Sequence, residues 1–229
     1  MIKLTYNGQN NEDFNIKIKS RPSIQASKKR YTEVVVPGRD GTLHKDENSR
    51  ENIRIDVYLN FIAENYMNNL RKIRRWLSGK GQLSFSYDED YFYNVVKIEF
   101  DPAEIERKKL VNLTVHFECE PYMYIKFGQY ELRNPTQIFN EADLAKPMYK
   151  IYGEGICEFE VNGYILRANV GQNLIIDTER QLAYRIDGTI VNSSVSGNFE
   201  KLYLKSGKNE MKLTEGFELI VIPNWRCEY

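Results

Sequence analysis

Between Asn52 and Phe61 every second residue is apolar. Ile53, Ile55, Val57, Leu59 and Phe61 fall on one side, and Arg54, Asp56 and Asn60 on the other. Successive side chains of a strand point to opposite faces, so this run demands a sheet with one buried face and one wet face. The same alternation recurs in Phe14, Ile16 and Ile18, and in Val111, Leu113, Val115 and Phe117. Leu83, Phe85 and Tyr87 make a further half-buried strand. Asp88, Glu89 and Asp90 read as the polar turn after it, before Tyr91 to Phe100 returns as the second half of a hairpin. The 16 Tyr and 11 Phe suit strands packed on one face only. The chain is predicted to be mainly β.

One segment keeps the helical period instead. From about Ala63 to Ser78, Met67, Leu70, Ile73 and Leu77 line up as a single apolar stripe, with Trp76 beside it as a core residue. Gly79 then tolerates a left-handed stop. Arg71, Lys72, Arg74 and Arg75 fill the last two turns, where the helix dipole favours cations. Such a run is either a solvated face that complements the dipole or a patch for phosphates, and the first reading is the expected one.

Chain length and turn chemistry divide the molecule. With 229 residues and 27.0 kDa it is long enough for one large β domain or two of about 100 to 130 residues. Asn134, Pro135, Thr136 and Pro147 interrupt regular structure, which predicts a first domain at 1–130, a linker at 131–147 and a second domain at 148–229. In the second domain, short strands are expected at Met148 to Tyr152, Ile156 to Val161, Tyr164 to Ala168 and Asn173 to Asp177. Further strands are expected at Leu182 to Ile186, Lys201 to Leu204, Glu210 to Leu213 and Phe217 to Ile222. Asn162-Gly163 between two alternating runs is a hairpin turn of the type that needs positive φ at both central residues. Evenly spaced short strands suggest a sandwich.

Several function classes lose their anchor. Lys+Arg and Asp+Glu are 32 each, so no net charge drives the chain to a polyanion. Three cysteines without a CxxC pair argue against zinc or a disulfide framework, and no cofactor is expected. The two histidines, His44 in a charged stretch and His116 on the polar side of a strand, have no partner at metal-ligand spacing and read as solvated. No Gly-x-Ser-x-Gly elbow, P-loop or dinucleotide fingerprint is present. Paired carboxylates survive as a weaker idea: Asp88, Glu89 and Asp90 could hold a cation, Asp177 with Glu179 could project from one strand face, and two of these could serve a glycosidase, although a hairpin tip and a strand end entering a turn are the expected reading. The longest apolar run is four residues, Leu219 to Ile222, and the opening MIKLTYNGQNNEDF has no apolar h-region, so a soluble protein made in the cytoplasm, with no membrane partner, is expected.

The strongest local signal is Pro37, Gly38, Arg39, Asp40 and Gly41, directly after Val34 to Val36. It describes a tight chain reversal that leaves two charged side chains exposed. Its order among other features matters: Arg21-Pro22 before it, the alternating strand from Ile53, the helix ending in Trp76-Leu77, then Phe117-x-Cys119-x-Pro121. The second half adds Asn134-Pro135-Thr136, Pro147 with Ile151 and Gly153, Asn162-Gly163, Ile176-Asp177, Ser206-Gly207 with Asn209, and Asn224-Trp225-Arg226. In that order the chain resembles the distal tail proteins of long-tailed bacteriophages, the siphovirus tail-component family.

The resemblance implies a structural virion protein and not an enzyme. It implies an N-terminal β-sandwich belt domain with one α-helix and a long hairpin, followed by a C-terminal galectin-like β-sandwich. Six belt domains would close into a hexameric ring, single or doubled back to back, that joins the tail tube to the baseplate or tail tip around a channel for DNA. The partners implied are the major tail tube protein, a tail-associated lysin or tail fibre hub, and receptor-binding or baseplate proteins. The chain would be assembled in the bacterial host's cytoplasm and reside at the virion tail tip. By the same analogy, Tyr31 to Leu59 is the hairpin arm that reaches a neighbouring subunit. Pro37, Gly38, Arg39, Asp40 and Gly41 would lie near that contact, and Arg71, Lys72, Arg74 and Arg75 are the candidate channel-facing residues.

The chain departs from galectins at the sugar site. It has no His-x-Asn-Pro-Arg strand, its only Asn-Pro is Asn134-Pro135, and Trp225 is expected to pack rather than stack a sugar. No galectin-type lectin activity is therefore expected. The alternatives are a carbohydrate-binding module for host wall glycans and, less well supported, a β-sandwich glycosidase.

Overall fold

The computed structural model describes residues 2–62, 64–106 and 109–228. The chain divides into two compact units: one runs to Met123 and takes in Glu228, and the other is Tyr124–Cys227. Antiparallel strands dominate both, with a single α-helix among the described residues.

The first unit contains β1 (Leu4–Tyr6), β2 (Gln9–Asn10), β3 (Lys17–Ile18), β4 (Lys29–Val34), β5 (Leu43–Arg50) and β6 (Ile53–Ile62). They are followed by α1 (Tyr66–Trp76), β7 (Gly81–Phe85), β8 (Asp88–Phe100), β9 (Glu104–Glu106) and β10 (Leu110–Ile125). Its main sheet runs β2-β1-β7-β8-β10-β6-β3. β6 and β10 pair so that Phe61, Leu59, Val57, Ile55 and Ile53 face Val111, Leu113, Val115, Phe117 and Cys119 in turn. Every one of these residues is buried. A register slip of one residue would turn all of them to water, so the pattern fixes the pairing.

The helix covers this face with Leu70, Ile73 and Trp76, while Met67, expected on the stripe, is half exposed. Trp76 takes its place, stacked on Phe14 at 4.7 Å between ring centres. The helix begins at Tyr66, after Asn65 in a left-handed conformation, and Ala63 lies outside the described residues. The turn expected at Asp88 to Asp90 falls two residues earlier, at Ser86 and Tyr87, and Asp88 already belongs to β8.

The second unit contains β11 (Leu132–Arg133), β12 (Gln137–Asn140), β13 (Met148–Val161), β14 (Tyr164–Asp177), β15 (Leu182–Tyr184), β16 (Val195–Ser196), β17 (Gly207–Leu213) and β18 (Glu218–Ile222). Residues 131–147, expected to be a linker, carry two of these strands. β11 pairs β18, and β12 pairs β17 from Gln137↔Glu210 to Asn140↔Gly207. The prolines interrupt these strands without releasing the segment from the sheet. β13 and β14 form one long hairpin paired from Met148↔Asp177 to Val161↔Tyr164. Its turn has Asn162 at φ 50° and Gly163 at φ 83°, the geometry that Asn-Gly favours. The expected strand at Lys201 to Leu204 is mostly a 3-10 turn, Phe199–Leu202, whose Leu202 carbonyl accepts from the buried Tyr149 hydroxyl at 2.7 Å.

Gly153 and Gly155 were expected to separate two strands, yet β13 runs through both. Gly153 sits at φ 147° opposite Gln172 at φ 67°, so both strands of the hairpin are irregular at one level. A Cβ on Gly153 would lie 2.3 Å from the Phe217 ring. Glycine here lets a strand deform and a ring lie against its backbone. Gly153→Ala is expected to cost about 1–3 kcal/mol, the usual penalty for overpacking a fitted site. Urea unfolding of the two proteins checks it, and an unchanged midpoint would show that the ring moves aside freely.

Candidate functional site

The feature that stands apart from both cores is the β4–β5 hairpin. It forms a two-stranded sheet of its own, and residues 28–48 are exposed without exception. Its tip follows from Pro37-Gly38: proline presets the first turn position, Gly38 takes φ 79° at the second, and the Arg39 N–H donates to the Val36 carbonyl at 3.2 Å. Gly41 adds a second left-handed residue at φ 81°. Arg39 and Asp40 are thereby presented, exposed, on the tip.

Tyr31, Val34, Val35, Val36 and Leu43 are all exposed, Val35 to 77%. Cross-strand contacts inside the hairpin are modest: Tyr31 meets His44 edge-on at 6.3 Å, Thr32 donates to Glu47, and Lys29 reaches Asp46 at 3.9 Å. A two-stranded ribbon with so little burial is at best marginally stable in water alone. Its open edges and apolar side chains are suited to pairing with another chain.

The root of the hairpin, in contrast, is fastened. Arg50 is largely covered, and its Nη1 donates to the Ser27 carbonyl at 3.1 Å and to the Ser27 hydroxyl at 3.2 Å. Its Nη2 pairs with the Glu228 carboxylate. The Glu51 N–H also donates to the Lys28 carbonyl at 2.9 Å. A floppy ribbon is thus held at a defined base. The sequence gives no hint of this anchor, because Ser27, Arg50 and Glu228 are far apart along the chain. The arm also ends at Arg50, and the expected extension to Leu59 is corrected: Ile53 to Leu59 belong to β6 in the core.

The other expected residues are placed as follows. Arg71, Lys72, Arg74 and Arg75 are all exposed on α1, away from the hairpin tip in sequence and element. Asp177 accepts from the Arg180 N–H at 3.0 Å, and Glu179 pairs with Lys146 at 2.9 Å and Arg226 at 3.3 Å, so both are used as a strand-end clamp. Trp225 is 6% exposed, packed where a Cβ on Gly128 would lie 2.9 Å from its ring, and offers no open face to a sugar. His116, expected to be solvated, is instead held between two aspartates. Among the described residues no group of three His, Cys, Asp or Glu is placed to hold a metal ion, and no helix is long and apolar enough to cross a membrane.

No protein-family model matches the chain, and no curated protein resembles it in sequence. A fold of this kind is found among solved structures. The chain is similar to the SPP1 Dit (gp 19.1) protein, described as a paradigm of the hub adsorption apparatus in phages that infect Gram-positive bacteria. The TM-score is 0.67, with 100% of this chain and 99% of that chain covered at 13% identity. At this identity the likeness is one of fold, and the fold is Dit-like.

Proposed function

We propose that this protein is a distal tail hub: a structural subunit of a long-tailed phage whose first unit closes, six copies at a time, into a ring between the tail tube and the tail-tip apparatus. The observation that carries the reading is a fold shared over the full length of both chains with a phage hub protein. The β4–β5 arm supports it independently, since an exposed apolar ribbon on a fixed root needs a second chain to cover it. Contacts that run head to tail close into rings when the rotation permits, and closure leaves no open edge.

In this reading the arm tip, Pro37 to Gly41, meets the neighbouring subunit. The second unit is a galectin-like module that holds adsorption proteins instead of sugars. The exposed arginines and lysine of α1 face the DNA channel without reading sequence. Exchanging both Arg39 and Asp40 for Ala is expected to weaken the ring several-fold in subunit concentration while leaving the monomer's melting curve in place. An unchanged assembly midpoint in sedimentation would remove these two residues from the contact.

A further inference from the structure

The wet face of the first sheet carries a cluster that a tail hub does not call for. His116 stands in the middle of β10, directly opposite Asp56 on β6. Its Nδ1 lies 2.6 Å from Asp56 Oδ1, and its Nε2 lies 3.0 Å from Asp101 Oδ1. Only 13% of the side chain is exposed. Asp101 opens the segment between β8 and β9, and its own N–H donates to the Thr114 carbonyl at 3.1 Å. One imidazole therefore joins that segment to β6 through β10.

Carboxylates at both ring nitrogens decide the protonation state. An ionised carboxylate only accepts hydrogen bonds. A neutral imidazole has one N–H and one lone pair, so it satisfies one aspartate and turns a lone pair on the other. The imidazolium, with two N–H donors, satisfies both, and each bond is charge-assisted. We propose that His116 is the pin of a pH-sensitive latch. As an imidazolium it ties the segment leading into β9 to the β6–β10 face, and on losing a proton it releases Asp101 and loosens β9.

The surrounding charges are mixed. From β6, Arg54 Nε donates to the same Asp56 oxygen at 2.8 Å. From β8, Lys97 and Glu99 pair with each other at 2.6 Å. Glu118 follows along β10, opposite Arg54 in register. From α1, Arg74 reaches the rim of the open cleft lined by Arg54, Glu99, Asp101 and His116. Partial burial, the largest single influence, pulls the imidazole pKa down. The hydrogen bonds to Asp56 and then Asp101, with the Asp56 charge, outweigh it, and the pKa stands above its ordinary 6.5. Asp56 moves the opposite way: burial pushes its pKa up, but the bonds from Arg54 and His116 bring it below the ordinary carboxylate value. A raised histidine pKa gives stability that is complete below 6.5 and is lost as pH rises through the raised value.

The wild-type full chain suffices for the test. It has only two histidines, so ¹⁵N ring signals followed from about pH 5 to about pH 9 are assigned with the single variant His44→Gln. Both His116 nitrogens are expected to carry protons at pH 6.5, and the ring to titrate above that ordinary value. Hydrogen exchange at the Glu104–Glu106 amides, corrected for its intrinsic pH dependence, is expected to lose about tenfold in protection across that same titration. His116→Gln is expected to remove the pH-dependent step. A His116 that titrates at or below the ordinary 6.5, or a β9 protection factor that stays flat through its titration, would overturn the latch.

Discussion

If the arm makes the proposed subunit contact, a chain whose residues 31–48 are replaced by a short Gly-Ser link is expected to run as a monomer where the wild type assembles. Its thermal transition should stay within a few degrees of the wild type. The reasoning is one of burial. Every residue removed is exposed, the hairpin belongs to neither core, and Arg50 keeps its bonds to Ser27 and Glu228 at the root. Deletion therefore removes apolar surface that the proposed ring would cover, at about 25 cal/mol per Å² buried, and takes nothing from either core. Limited proteolysis gives the same answer from the other side. Lys29, Arg30, Arg39 and Lys45 should be cut readily by trypsin in the monomer and protected in the ring. A ring that forms without the arm would transfer the subunit contact to another surface.

The second large effect concerns a single buried amide. Asn209, in β17, is wholly buried, and its side chain uses its full hydrogen-bonding capacity. Its Oδ1 accepts from the Lys205 N–H at 2.9 Å and from the Asn162 amide at 2.9 Å, and its Nδ2 donates to the Lys205 carbonyl at 2.8 Å and the Gly207 carbonyl at 3.0 Å. It thus ties the turn before β17 to the tip of the β13–β14 hairpin. Asn209→Leu keeps the branching at Cγ but is larger and removes these four hydrogen bonds. These partners are only part-buried, so water takes up some of the lost bonds, and a loss of about 1–3 kcal/mol is expected in the second unit from the bonds and the overpacking together. For a unit of this size that lowers its melting point by about 5–15 °C. The chain has two tryptophans, Trp76 in the first core and Trp225 in the second, so in a Trp76→Phe background the remaining fluorescence reports the second unit alone. An unchanged Trp225 transition would mean that water replaces the amide without loss.

The sequence was most readable where one element carries its own pattern. β6 and β10 declare both faces through strict alternation, the β13–β14 turn is written in Asn162-Gly163, and the stripe on α1 is visible apart from the exchange of Met67 for Trp76. It was least readable where a short segment depends on a distant one. Gln137–Asn140 has only four residues in which to alternate, and its partner β17 lies far downstream, so the flanking Asn134, Pro135 and Pro147 suggest a linker. The glycines of β13 resemble a break because a deformed strand and a turn use the same residue type. At the candidate site the tip turn was legible, since Pro-Gly determines it locally. The extent of the arm, its Arg50 root and the clamp on His116 were not, because each rests on residues that only the fold brings together.

The account stands or falls on the mass of the intact protein in solution. Light scattering on a sizing column over a concentration series, with negative-stain images of the main peak, measures it directly. A particle of six times 27.0 kDa, or of twice that mass, with a central hole is the predicted result. A monomer that persists to the highest concentration, or a closed twofold dimer without a channel, would contradict it.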